Sequence, residues 1–192
     1  MNIEALSPLN ASAYLEYLEK MDFHHAPDWA GCFCRYYHND CSDAQWKKRN
    51  AAENKAEALK AIEHGLMKGY LAYDQDKVVG WINANHVDTY PRLTSFIKPY
   101  LTSKKTGCVV CFVIHPEYRH QGIASKLLSH AVNRFIEEGY EAVLGLPFEN
   151  SQAPEKAYRG FTSMYLELGF KIIEQRNHMT LLRKDCGTCL TD

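Results

Sequence analysis

Residues Cys108 to Leu128 read CVVCFVIHPEYRHQGIASKLL, and this stretch decides the fold. Its opening run, Cys108 to Ile114, is apolar at every position, as a central strand covered on both faces would be. His115-Pro116 then takes the chain out of the sheet. From Gly122 to Glu138, the residues Ile123, Leu127, Leu128, Ala131, Val132, Phe135 and Ile136 form a broad apolar stripe at helical spacing, closed by Gly139. A buried strand thus passes through a short turn straight into an amphipathic helix.

That junction carries chemistry. A helix N-terminus exposes unpaired backbone N–H groups and the positive end of the macrodipole, which together make an anion site. Gly122 and Ala124 leave the backbone uncluttered, Arg119 and Lys126 add charge, and Ser125 adds a hydroxyl. The physics predicts a phosphate-bearing ligand here. The established phosphate signatures are missing: neither G-x-x-x-x-G-K-S/T nor G-x-G-x-x-G occurs. Nor does G-x-S-x-G or H-E-x-x-H. An ordinary strand-turn-helix with a packing glycine is the bland alternative.

Working outward, three more helices and six more strands follow from periodicity. Ser12 to Lys20 places Tyr14, Leu15, Leu18 and Met21 on one face. The helix after Asn50 opens on a cap-like Asn50-x-x-Glu53 and stops at Gly65. Phe161, Met164, Tyr165 and Leu168 repeat at helical spacing before Gly169. Strands are expected at Ile3 to Leu6, Tyr70 to Tyr73, Lys77 to Asn83, Ala142 to Phe148, Phe170 to Glu174 and His178 to Arg183. The order predicts an α/β fold in one domain over residues 1–192: a mixed, mostly antiparallel sheet with helices on both faces. Residues 184–192 read as a loose tail. The segment His86 to Thr106 is long for a structureless connection, the length of a binding loop or lid.

Composition agrees. The chain has 192 residues, 46% apolar and 23% charged, with a formal net charge of −1. A chain of this size buries roughly 70% of its unfolded surface, so it needs no metal or disulfide to fold. Near-neutral charge disfavours a nucleic-acid partner. The longest apolar run is too short for a bilayer, and no export signal opens the chain, so no membrane partner and a cytoplasmic location are expected.

At this point the sequence resembles the GCN5-related N-acetyltransferases. Their acetyl-CoA loop is arginine or glutamine, two residues, glycine, one residue, then glycine or alanine; here it reads Arg119-His120-Gln121-Gly122-Ile123-Ala124. A second family block, a tyrosine shortly before Gly-Phe at a helix end, reads Tyr165-Leu166-Glu167-Leu168-Gly169-Phe170. The resemblance implies a splayed central strand pair and acetyl-CoA as cosubstrate, with no metal. The backbone of Val113, Ile114 and His115 would pair with the pantetheine arm. The amides of Gln121 to Ser125 would hold the pyrophosphate. It implies direct transfer of acetyl to a primary amine on a small molecule or peptide, and allows a homodimer.

The family pattern also makes Tyr165 the acid that protonates the leaving thiolate. A phenol (pKa about 10) is not badly mismatched to a departing thiol (roughly 8.5). Helical spacing alone makes Tyr165 an apolar-face residue instead. The asparagine that many relatives carry before this tyrosine is missing: the stretch is Ala157-Tyr158-Arg159-Gly160, and Asn150 lies far upstream. Glu149 and His115 are positions from which a base could act; the base is left unassigned. A CoA-binding sensor without turnover is the alternative function.

Seven cysteines in a chain without an export signal are expected to be reduced thiols. Cys32, Cys34, His38 and Cys41 could supply four zinc ligands, or could line an acceptor wall with Trp29, Phe33, Tyr36 and Tyr37. Cys186-x-x-Cys189 falls in the tail, and a thiol-redox module is a further alternative. Cys108 and Cys111, three apart on a strand, are expected on opposite faces.

Overall fold

The computed structural model describes residues 1–148, 157–176 and 179–187. In chain order the elements are β1 (Asn2–Ala5), α1 (Ala11–Lys20), α2 (Asp43–Trp46), α3 (Ala51–Glu63), β2 (Gly69–Asp74), β3 (Lys77–His86), α4 (Thr94–Ile97), β4 (Thr106–Ile114), α5 (Ile123–Glu137), β5 (Ala142–Gly145), α6 (Thr162–Glu167), β6 (Lys171–Arg176) and β7 (Met179–Asp185). The capping box at Asn50 forms as expected: Glu53 N–H donates to Asn50 Oδ1, and Asn50 N–H to Glu53 Oε2, both at 2.9 Å.

The strands make one sheet in the order β1-β2-β3-β4-β5-β7-β6, antiparallel except where β4 runs parallel to β5. Alternation along β3 assigns its two faces. Trp81 packs with Tyr14, Leu18 and Ile62 of α1 and α3, whereas Ile82 and Ala84 pack with Leu127, Leu128 and Ala131 of α5. The result is the α/β architecture expected, with helices on both faces of a mostly antiparallel sheet.

Two irregularities in β4 position the site. First, β4 pairs with β5 only from Thr106–Ala142 to Val109–Gly145, although it continues to Ile114. Past Gly145 the neighbouring chain leans toward β7 instead: Thr180 N–H donates to Pro147 O at 3.1 Å, and Phe148 bridges Met179. The two central strands therefore part, and β5 is shorter than the Ala142–Phe148 span expected. Second, a register shift opposite Asn83 and Ala84 leaves Val110 as an extra residue in β4. Cys108 then pairs with Asn85 and Cys111 with Asn83, on the same face of the sheet. The expectation that these cysteines point to opposite faces fails because the bulge shifts the alternation by one.

Other differences are local. β7 continues to Asp185, and Cys186 N–H donates to Glu141 O at 2.9 Å, so the ordered chain runs further than a tail from Lys184. The His86–Thr106 connection is a packed cover that includes α4, and its own Tyr90, Leu93 and Ile97 are buried. His178, where a strand was expected to begin, Glu149, Asn150 and Cys189 lie outside the described residues.

Candidate active site

The gap between β4 and β5 opens into a cavity of about 760 Å³. One wall is Cys111 to Ile114 of β4, the floor of the mouth is the turn into α5, and the opposite wall comes from the segment between α1 and α2.

At the mouth, Gly122 precedes α5 with a left-handed φ of +73°, and a methyl group there would touch nothing within 4 Å. The glycine is needed for its conformation, not for space at the residue itself. His120 is also left-handed, at φ 60°. The pair of left-handed turns brings Arg119, His120, Gly122, Ile123, Ala124 and Ser125 to the cavity wall. The N–H groups of the first turn of α5 have no partner within the helix and are free to meet an anion. Arg119 lies across the strand end, its Nε donating to Ile114 O at 3.3 Å. Gln121 is outside the cavity wall, its amide nitrogen donating to Glu117 O at 2.9 Å.

Along β4 the backbone splits by parity. His115 N–H donates to Val79 O at 3.0 Å, and Val113 O accepts from the Tyr17 hydroxyl at 2.9 Å. The alternate residues, Phe112 and Ile114, direct their peptide groups to the open edge. Sequence reasoning named Val113, Ile114 and His115; the structure puts Ile114 on that edge and adds Phe112. The bulge at Val110 sets this parity, and it leaves no mark in the residue types. Phe112 N–H already has a partner, the carbonyl of Tyr158 at 2.6 Å.

Tyr165 does not line the cavity. It is 0% exposed, and its hydroxyl donates to Arg159 O at 2.9 Å. Burial holds the phenol well above its ordinary pKa, so it is protonated throughout the neutral range. One short turn, closed by Gly160 N–H donating to Ala157 O at 2.9 Å, thus presents two neighbouring carbonyls: Tyr158 O to β4 and Arg159 O to Tyr165. Among the phenols at the cavity wall, Tyr37 and Tyr158 hydrogen-bond to each other through their hydroxyls at 2.7 Å. His115 is turned toward Glu117, its Nδ1 3.8 Å from the carboxylate, and is not part of the wall.

The wall opposite β4 uses the residues the sequence singled out. Trp29, Phe33, Tyr36 and Tyr37 all line the cavity, joined by His25, Asp28 and Trp46. The four candidate zinc ligands disperse: Cys34 faces Cys111, His38 contacts Asn83, and Cys41 sits under Arg92. Among the described residues no group of three or more His, Cys, Asp or Glu could hold a metal ion. Gly31, Phe33 and Cys34 are all left-handed, with φ of 71°, 46° and 51°. Two such non-glycine residues in succession cost about 1–2 kcal/mol each. They are held by the Tyr14 hydroxyl donating to Phe33 O at 2.9 Å and by Asn83 Nδ2 donating to Cys34 O at 3.3 Å. A buried asparagine in the middle of apolar β3 was the one sequence signal for this clamp.

The fold is similar to that of solved acetyltransferases. The chain matches a GNAT-family acetyltransferase from Streptococcus pneumoniae at TM-score 0.56 and 18% identity, covering 97% of this chain and 99% of that one. It matches YncA, a putative acetyltransferase from Salmonella typhimurium solved with its cofactor acetyl-CoA, at TM-score 0.57 and 13% identity over 100% and 97% of the two chains. The PaiA N-acetyltransferase from Thermoplasma acidophilum, solved in complex with coenzyme A, gives TM-score 0.52 and 16% identity over 96% and 99%. No curated protein matches the sequence. The model of the Acetyltransferase (GNAT) family matches residues 17–170, and the chain belongs to that family.

Proposed function

We propose that this chain transfers acetyl from acetyl-CoA directly to a primary amine of a small molecule or peptide. The observation that carries the reading is the convergence, in one cavity, of the β4 edge at Phe112 and Ile114, which β5 leaves unpaired, with the first-turn amides of α5 behind left-handed Gly122. The first suits an extended amide-bearing arm; the second suits a pyrophosphate. Arg119, His120 and Ile123 to Ser125 would flank the phosphates. The aromatic wall of Trp29, Tyr36 and Tyr37, with Asp28 beside it, would receive the amine.

Tyr165 is the proposed proton donor to the leaving thiolate, in a state where the 157–160 turn has shifted. The support is that this turn holds both ends of the event. Its Tyr158 carbonyl occupies the Phe112 amide that the pantetheine arm would use, and its Arg159 carbonyl occupies the Tyr165 hydroxyl. An arm that takes the amide displaces the turn and uncovers the phenol. Bound acetyl-CoA supplies the activated acyl group; the chain supplies alignment and the proton. Gln121 enters only through its backbone, and His115, whose N–H is taken by Val79 O, does not enter.

The test is calorimetric titration with coenzyme A, followed by thiol release from acetyl-CoA across a panel of amines. Binding in the micromolar range with amine-dependent thiol release is expected. Binding without release for any amine supports the sensor reading; no binding removes both.

A further inference from the structure

The sulfur atoms of Cys34 and Cys111 lie 3.6 Å apart, although 77 positions separate them in the chain. Both face the cavity, where the opposite wall comes closest to β4. Two independent features bring them together. The bulge at Val110 turns Cys111 to this face, and the left-handed conformations of Phe33 and Cys34 turn Cys34 toward it. Without either one the thiols would not meet. Strained backbone fixed by buried hydrogen bonds from Tyr14 and Asn83 marks a position where geometry is held for a purpose.

We propose that Cys34 and Cys111 form an oxidative modification site, a dithiol that a hydroperoxide converts into a disulfide across the cavity wall. The steps balance as a two-electron oxidation. The Cys34 sulfur attacks the peroxide: an S–O bond forms, the O–O bond breaks, and the alcohol or water leaves with the thiol proton. Cys111 then attacks the resulting sulfenic acid: the S–S bond forms, the S–O bond breaks, and water leaves with the Cys111 proton.

The surroundings select Cys34 as the first thiol. Contact with Cys111 holds its thiol below the ordinary range despite burial, and Trp81 and Tyr14 act in the same direction. The same contact pushes Cys111 up. Burial raises Cys32 to about 12 and also raises Cys108, making both poor nucleophiles. The bond would tie the Gly31–Cys34 segment to β4 and narrow the cavity where an acceptor would approach.

The test uses the reduced full chain treated with hydrogen peroxide, alkylated, and digested with trypsin without reduction. Cleavage leaves Cys34 in the peptide Met21–Arg35 with Cys32, and Cys111 in Thr106–Arg119 with Cys108. The expected product is a cross-link between these two peptides with loss of two hydrogens, reversed by dithiothreitol. It should persist in Cys32→Ser and vanish in Cys34→Ser and Cys111→Ser. Both thiols remaining open to alkylation, separate over-oxidation without a cross-link, or a cross-link that survives Cys34→Ser overturns the proposal. No readout involves acetyl transfer, so the result is independent of the proposed function.

Discussion

Tyr165 and Gly145 fit so closely that a methyl group on residue 145 would lie 2.2 Å from Cε1 of the tyrosine and 2.5 Å from Cδ1. Gly145 is the last residue of β5, where that strand leaves β4. The ring is thus seated at the point of the fork, with Phe170 edge-on at a centroid distance of 5.3 Å. Gly145→Ala should force the ring away and destabilise the fold by about 1–3 kcal/mol, the usual range for an overpacked core. Chemical denaturation measures this. A variant as stable as the parent would mean that the contact is not tight.

Tyr165→Phe keeps the ring and removes the hydroxyl. The lost bond to Arg159 O should cost about 1 kcal/mol of stability. If the phenol also protonates the leaving sulfur, turnover falls at least tenfold while coenzyme A affinity is not weakened; that is the outcome the proposed function requires. Turnover within twofold of the parent would leave Tyr165 a structural residue and return attention to Tyr37 and Tyr158.

Gly122 and Gly65 make a controlled pair. Both are left-handed, at φ +73° and +67°, and neither has an atom within 4 Å of an added methyl. Substitution by alanine should cost each site about 1–2 kcal/mol through backbone strain alone. Only Gly122 precedes the α5 amides, so Gly122→Ala should weaken coenzyme A binding about tenfold, and Gly65→Ala should leave it unchanged. Equal effects on binding would show that general destabilisation is responsible.

Helices α1, α3, α5 and α6, the strands and the turn into α5 were legible because each follows from local rules, whereas the four-residue α2 and α4 were not. Caps, apolar periodicity and a proline exit act over a few residues, so Asn50, the α5 stripe and His115-Pro116 announce themselves. What escaped depends on pairing across the sheet. The bulge at Val110 leaves CVVCFVI an unremarkable apolar run, yet it decides that Phe112 and Ile114 face the gap and that Cys111 faces Cys34. Helical spacing placed Tyr165 on an apolar face, where it is buried, but its seat against Gly145 and its bond to Arg159 O are tertiary contacts that no helical period encodes. The aromatics of the wall opposite β4 were found as a cluster; their placement rests on strained backbone pinned from α1 and β3.

The same clamp makes stability depend on pH. His38 packs on Tyr90 at a ring distance of 4.8 Å, and its Nε2 lies 3.1 Å from Asn83 Nδ2. Asn83 Oδ1 accepts from the Tyr90 hydroxyl at 2.8 Å, which leaves the amide nitrogen to donate to a neutral imidazole. Burial, with nearby Arg35 adding to it, lowers the His38 pKa to about 4. In the unfolded chain the value is about 6.5. The unfolded state therefore takes up a proton first as pH falls, and His38 contributes stability that is fully present above about 6.5 and lost between there and about 4. The shift sets a ceiling of about 3 kcal/mol, reduced because the residue is partly exposed. Urea denaturation at pH 7.5 and 4.5 should show a larger loss for the parent than for His38→Asn, which cannot titrate. Equal losses in the two proteins would place the acid sensitivity elsewhere and remove His38 from the account.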